Sequence, residues 1–159
     1  MSAGSNNSGR NSRPKLSLAQ RRKARRLILQ ALYQWQIAQT EPLVIEAEFR
    51  QENPGKIDWD YFSEVFPEIP KRVDQLNAHL NPLLDRAVGA LDPVERALLY
   101  LGTYELAYRI DVPYKVVINE AVELAKVFGS DSSPKFVNGV LGSVMAKRED
   151  LAGETVSRR

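Results

Sequence analysis

The chain has 159 residues, 43% of them hydrophobic, with a formal net charge of +2, no cysteine and one histidine, His79. That apolar content suffices for one good core or two small ones sharing an interface. The missing thiols exclude disulfides, thiolate metal sites and a cysteine nucleophile, and one imidazole is too few for a zinc site or a histidine-based triad, so neither a cofactor nor an enzyme is expected. No apolar run approaches 18 residues and no signal-peptide core is present, which predicts a cytoplasmic protein without a membrane span.

The small net charge hides a strong asymmetry. Arg10, Arg13, Lys15, Arg21, Arg22, Lys23, Arg25 and Arg26 precede any acid, the first of which is Glu41. The remainder holds fourteen cations against twenty anions, a net of −6. A basic block of this kind is either a solvated tail or the footprint of a polyanion ligand, whose binding gains free energy from released counterions. Residues 1–16, rich in Ser, Asn, Gly and Arg, read as a disordered basic arm.

Ser17 and Gln20 form a capping box that predicts a helix start. Ala24, Leu27, Ile28, Ala31, Leu32 and Trp35 then recur at three- and four-residue steps to about Ala38, as one apolar seam. Arg21 to Arg26 would stand in its first turns. There they oppose the helix macrodipole at about 0.3–1 kcal/mol each, which points to a role in binding. At 100° per residue Arg22, Arg26, Leu29, Tyr33 and Gln36 fall opposite the seam. Guanidinium groups beside an exposed aromatic suit RNA; the alternative is that Leu29 and Tyr33 pack against another helix.

A short helix from Glu41-Pro42 should stop before Asn53-Pro54-Gly55. Asp58 can cap a third. In it Phe62, Val65, Phe66, Ile69, Val73, Leu76 and Leu80 hold one seam, kinked or broken near Pro67 and Pro70. Pro82 opens a brief turn. Asp92-Pro93-Val94-Glu95 is a strong start for a helix to Ile110 that is apolar on nearly every side and so belongs at a domain centre. Glu105 inside its apolar stripe reads as a structural carboxylate paired with a basic or tyrosyl group, in preference to a catalytic acid. A helix from Lys115 to Phe128 has Asn119, Glu120, Glu123 and Lys126 on its wet arc and Gly129 as its stop. Ser132 or Ser133 caps a last helix on which Lys135, Asn138, Gly139 and Gly142 share a face. The glycines serve either helix packing or a close backbone approach, and Lys135 beside the N-terminus can attract an anion. Residues 151–159 read as a flexible tail.

Four blocks in order carry a family resemblance. Arg21-Arg22-Lys23-Ala24-Arg25 leading to Gln30-Ala31-Leu32-Tyr33-Gln34-Trp35 resembles the opening helix of the NusB family of bacterial transcription antitermination factors. Leu91 to Leu106, Pro113 to Lys126 and Lys135-Phe136-Val137-Asn138-Gly139-Val140-Leu141 resemble the blocks that follow, over about Leu18 to Met145. The resemblance implies an all-α fold of about seven helices in two packed bundles. Here they would be one domain over 17–150, divided near 17–90 and 91–150. It also implies binding of boxA-type single-stranded RNA together with NusE, a ribosomal protein, in a larger complex with other Nus factors and RNA polymerase that supports transcription of ribosomal RNA operons. By position it implies an RNA-facing set of Arg21, Arg22, Lys23, Arg25, Gln30, Tyr33, Lys135 and Phe136. Its NusE-facing set is Glu95, Tyr100 and Ser132, where Tyr100 and Ser132 depart from the family pattern. A homodimer is left open. So are two other classes, a protein-only helical adaptor and a helix-turn-helix DNA-binding protein, although the connection from Gly129 to Ser133 is long for the latter.

Overall fold

The computed structural model describes the backbone of residues 2–152 and the side chains of residues 18–147. Among the described residues all regular structure is helical: α1 (Ser2–Ala38), α2 (Pro42–Glu52), α3 (Trp59–Val65), α4 (Glu68–Lys71), α5 (Val73–Leu80), two 3₁₀ turns (Asn81–Leu83 and Val88–Ala90), α6 (Pro93–Tyr108), α7 (Tyr114–Phe128) and α8 (Ser133–Ala152). This is the expected all-α class. None of these helices is long and apolar enough to cross a membrane.

The helical backbone of α1 begins at Ser2, ahead of the expected cap at Ser17, and takes in the stretch where a disordered arm was expected. Extending a nucleated helix needs only one residue fixed per hydrogen bond gained, a gain that local composition does not report. Arg21 to Arg26 therefore stand inside the helix, where the macrodipole penalty has faded. Most of the remaining tail, residues 153–159, lies outside the described residues.

The other boundaries follow from local chemistry. Pro42 opens α2, since its missing N–H is one that a first turn leaves unbonded anyway. The Asp58 side chain caps α3 by accepting from the Tyr61 N–H at 3.0 Å. The seam from Phe62 to Leu80 stays inward through α3, α4 and α5, and the expected kink takes the form of two short breaks, at Phe66-Pro67 and at Arg72. Asp92 caps α6 by accepting from the N–H groups of Val94 and Glu95 at 3.1 and 3.2 Å.

Helix α6 is the axis of the molecule. Every residue from Ala97 to Leu106 is buried, and the helix packs against α1, α4, α5, α7 and α8. It meets α8 at Gly102, where a Cβ would come within 2.6 Å of the Leu141 side chain, so any larger residue there would force Leu141 to move. Gly129 ends α7 in an extended conformation, φ −95°, instead of a left-handed cap. Glycine stands there for another reason: a Cβ would collide with Ser133 at 2.6 Å.

Inside this core lies an ionic knot. Arg25 on α1 donates its Nε to Glu105 Oε2 on α6 at 2.9 Å, and the Tyr61 hydroxyl on α3 donates to the same oxygen. All three residues are at most 4% exposed. Glu105 is thus the structural carboxylate expected, with both a basic and a tyrosyl partner. Burial, and then the Glu105 charge, push the Tyr61 phenol far above the ordinary tyrosine range, which keeps it a donor. Burial, the largest single effect, pulls the Arg25 guanidinium down, but the charge and hydrogen bond of Glu105 together with neighbouring Tyr61 and Glu120 leave it raised.

Two stability measurements follow from the packing. Leu98→Ala, at a fully buried position on α6, is expected to cost roughly 2–5 kcal/mol in urea denaturation; a cost below about 1 kcal/mol would remove α6 from the centre. Glu105→Ala should cost about 3–5 kcal/mol, since it strands the Arg25 charge away from water. The double replacement Arg25→Met with Glu105→Leu should recover much of that stability. A Glu105→Ala variant as stable as the parent would show that the knot contributes nothing.

Candidate nucleic-acid interface

The rotation of α1 decides which of its cations reach solvent. With 3.6 residues per turn, Arg25 lies about 20° from Leu32 and about 40° from Leu29, both inside the buried arc. On the same wheel Arg22, Tyr33, Arg26, Gln30 and Lys23 spread over roughly 100° of the opposite side. All five are exposed, Tyr33 by 44%.

Arg25 consequently departs from the expected RNA-facing set: it is 4% exposed and committed to Glu105. A carboxylate in the apolar stripe of α6 was the available signal, because a buried acid needs a cation and Arg25 falls in the inward arc of α1. Arg21 is intermediate. Its Nε meets Asp58 Oδ2 at 3.3 Å, and its guanidinium lies 4.1 Å from the centre of the Tyr61 ring. Leu29, expected on the outer stripe, is 2% exposed and belongs to the core. Gln36 turns its amide to the Pro93 carbonyl at 3.1 Å.

A groove runs between α1 and α7 along this outer arc. Its first section, about 420 Å³, has Arg22, Lys23 and Arg26 on one wall and Asn119, Glu120 and Glu123 on the other. A second section of about 310 Å³ continues past the end of α7, with Lys23, Arg26 and Gln30 of α1 facing Phe128 and, from the connection between α2 and α3, Asn53 and Ile57. The third, about 300 Å³, is apolar and lies among Leu29, Gln30, Tyr33, Val94 and Phe128. Phe128 lines all three sections. The groove thus offers cations along its length and an aromatic surface at one end, an arrangement that fits a phosphate chain with unstacked bases. Arg26 and Phe128 stand outside the RNA-facing set that the family resemblance implies; helical phase alone places Arg26 outward, whereas nothing in the sequence brings Phe128 beside Tyr33.

The remaining positions separate into two groups. At the N-termini of α6 and α8, Glu95 accepts from the Ser133 hydroxyl at 2.6 Å, which joins the two helix starts. Ser132 is exposed beside Ser130, with 3.4 Å between their hydroxyl oxygens, and Lys135 is exposed one turn on. Phe136 is half-buried and packs against the core. Tyr100 does not belong to this surface. It is 2% exposed and donates to Asn77 Oδ1 on α5 at 2.7 Å, because α6 is covered on all sides at that level. Gly139 and Gly142 face open space, so packing within the chain does not explain them. Among the described residues no cluster of acids and histidine is arranged to hold a metal ion.

Comparison with known proteins agrees with this architecture. A family model described as the NusB family matches residues 22–146. The chain is 53% identical over 124 residues to a transcription antitermination protein NusB of Idiomarina loihiensis, covering 77% of this chain and 89% of that one. It is 51% identical over 141 residues to a protein of the same name from Pseudomonas fluorescens, covering 88% and 85%. Among solved structures, T. maritima NusB superposes with a TM-score of 0.71 at 28% identity, over 79% of this chain and 90% of that one. A structure of the antitermination factors NusB and NusE in complex with double-stranded RNA shares the fold, with a TM-score of 0.71 at 23% identity over 79% and 96%. With the match to the family model spanning most of the molecule and about half of the aligned residues identical in the Idiomarina and Pseudomonas proteins, the chain belongs to the NusB family.

Proposed function

We propose that this chain is an RNA-binding transcription antitermination factor that takes single-stranded RNA of boxA type along the α1–α7 groove. The observation that carries the reading is the outward arc of Arg22, Lys23, Arg26, Gln30 and Tyr33, all exposed on one side of α1 and all lining the groove. Cations supply affinity for any phosphate chain, and an accessible ring supplies a surface on which bases stack. The family relatives carry the name of transcription antitermination proteins, and one structural neighbour was solved with NusE and RNA.

By the same reading the chain acts by binding, without catalysis or a cofactor, in the cytoplasm. NusE would sit beside the joined starts of α6 and α8, at Glu95 and Ser132, and the pair would join other Nus factors and RNA polymerase on ribosomal RNA transcripts. Lys135 and Phe136 extend the RNA surface onto α8. Arg21 contributes from the edge of the surface, where Asp58 already holds it.

The test is binding of the full chain to a boxA-like single strand, a scrambled strand and a duplex of equal length, across salt concentration. Alanine at Arg22, Lys23 or Arg26 is expected to weaken binding and lower the salt slope by about 0.7 for each phosphate no longer neutralised, with thermal stability unchanged. Tyr33→Ala should weaken the boxA-like strand by about 1–3 kcal/mol and the scrambled strand less. An unchanged slope in the triple alanine variant would reassign the basic block to solubility. Equal weakening of both strands by Tyr33→Ala would move base recognition away from α1.

A further inference from the structure

Arg22 has a 72% exposed side chain, yet its Nε is fixed at 3.0 Å to Glu120 Oε2, whose side chain is only 12% exposed. The bond crosses the groove from α1 to α7. A guanidinium has two usable edges, and engagement through Nε leaves the end-on edge of paired Nη groups pointing away from the carboxylate. Among the described residues those Nη groups have no hydrogen-bond partner. Arg25 uses the same atom on buried Glu105, so Nε tethering recurs one turn along. There it serves the core; at Arg22 it leaves the charged end in solvent.

We propose that Glu120 is a positioning residue for RNA binding, holding Arg22 by its Nε so that the Nη fork faces a backbone phosphate. The proposal rests on the reading of the α1–α7 groove as the RNA site. An acid on the wall of a polyanion groove repels the ligand unless it organises a cation, and Glu120 does so. The other groove acid, Glu123, is instead paired with Lys126 at 3.0 Å on its own helix. An untethered arginine has many rotamers to lose on binding; the tether removes part of that cost before RNA arrives, and a planar fork then meets phosphate oxygens in a fixed orientation.

The sign of the effect decides the matter. Glu120→Gln removes a negative charge beside a polyanion, so electrostatics alone would tighten binding. Positioning predicts the reverse: about two- to fivefold weaker binding of a single-stranded RNA probe, the range of one exposed charge-assisted contact. The salt slope should fall toward that of Arg22→Ala, and Arg22→Ala combined with Glu120→Gln should bind no worse than Arg22→Ala alone. Arg22→Lys keeps the charge and deletes Nε at an exposed position, so it provides a readout that does not depend on the fold around Glu120; it should weaken binding as much as Glu120→Gln, with no further weakening when the two are combined. Binding by Glu120→Gln or Arg22→Lys equal to or tighter than the parent, while Arg22→Ala is weakened, overturns the positioning role and leaves the groove as the RNA site. Unchanged binding by Arg22→Ala overturns both.

Discussion

One buried carboxylate sets the orientation of the whole basic surface. Glu105 holds Arg25 of α1 and Tyr61 of α3 on the same oxygen, deep against the central helix. Where the effective dielectric is low, such a knot tolerates no substitute geometry, since any rotation of α1 would strand the Arg25 charge. The apolar seam alone would leave α1 free to settle over a range of angles. With Arg25 pinned inward, Arg22, Lys23, Arg26, Gln30 and Tyr33 have only the outer side left to them.

The second constraint is the crowding of helix ends around that outer side. Val94 from the start of α6 and Phe128 from the end of α7 come up against Tyr33 on α1 and build the apolar end of the groove. They can do so because Gly129 admits Ser133 into the turn after α7, and because Ser133 in turn reaches Glu95. The proposed RNA groove and the proposed NusE contact at Glu95 and Ser132 are therefore neighbours by construction. A change at the α7–α8 turn would be felt at both.

The sequence disclosed the helices and their order well, because capping residues and apolar periods are local signals: Asp58 and Asp92 cap where they should, and Leu98 and Leu106 are buried. Glu105 was legible as well, as an acid in an apolar stripe that needed partners. What local signals could not supply was the rotation of α1 relative to its neighbours. A basic motif points Arg25 outward and a helical wheel without a fixed zero points Leu29 the same way, whereas long-range packing turns both inward. Tyr100 faces the same difficulty on a helix covered on every side. The groove partners Glu120 and Phe128 are about 100 residues from the α1 residues they face, so no periodicity connects them. The upstream extension of α1 was hidden because Ser, Asn and Gly are weak helix formers individually.

Charge segregation gives the surface its direction. Among the described residues the inward cations of α1 are each met by an acid from another part of the chain: Arg21 by Asp58, Arg25 by Glu105. On the outward side Lys23 and Arg26 remain in solvent, and Arg22 is tethered with its terminal nitrogens still outward. The chain beyond residue 26 is net −6, so the faces away from α1 repel what this arc attracts. At the proposed RNA groove an approaching polyanion would thus meet an orienting field as well as contacts, and the wrong encounters would be disfavoured before contact. That effect depends on separation of charge and not on its total, which is why a nearly neutral chain can present a strongly basic face. It also explains why acids are tolerated inside the groove only where, as at Glu120 and Glu123, each is already engaged by a cation.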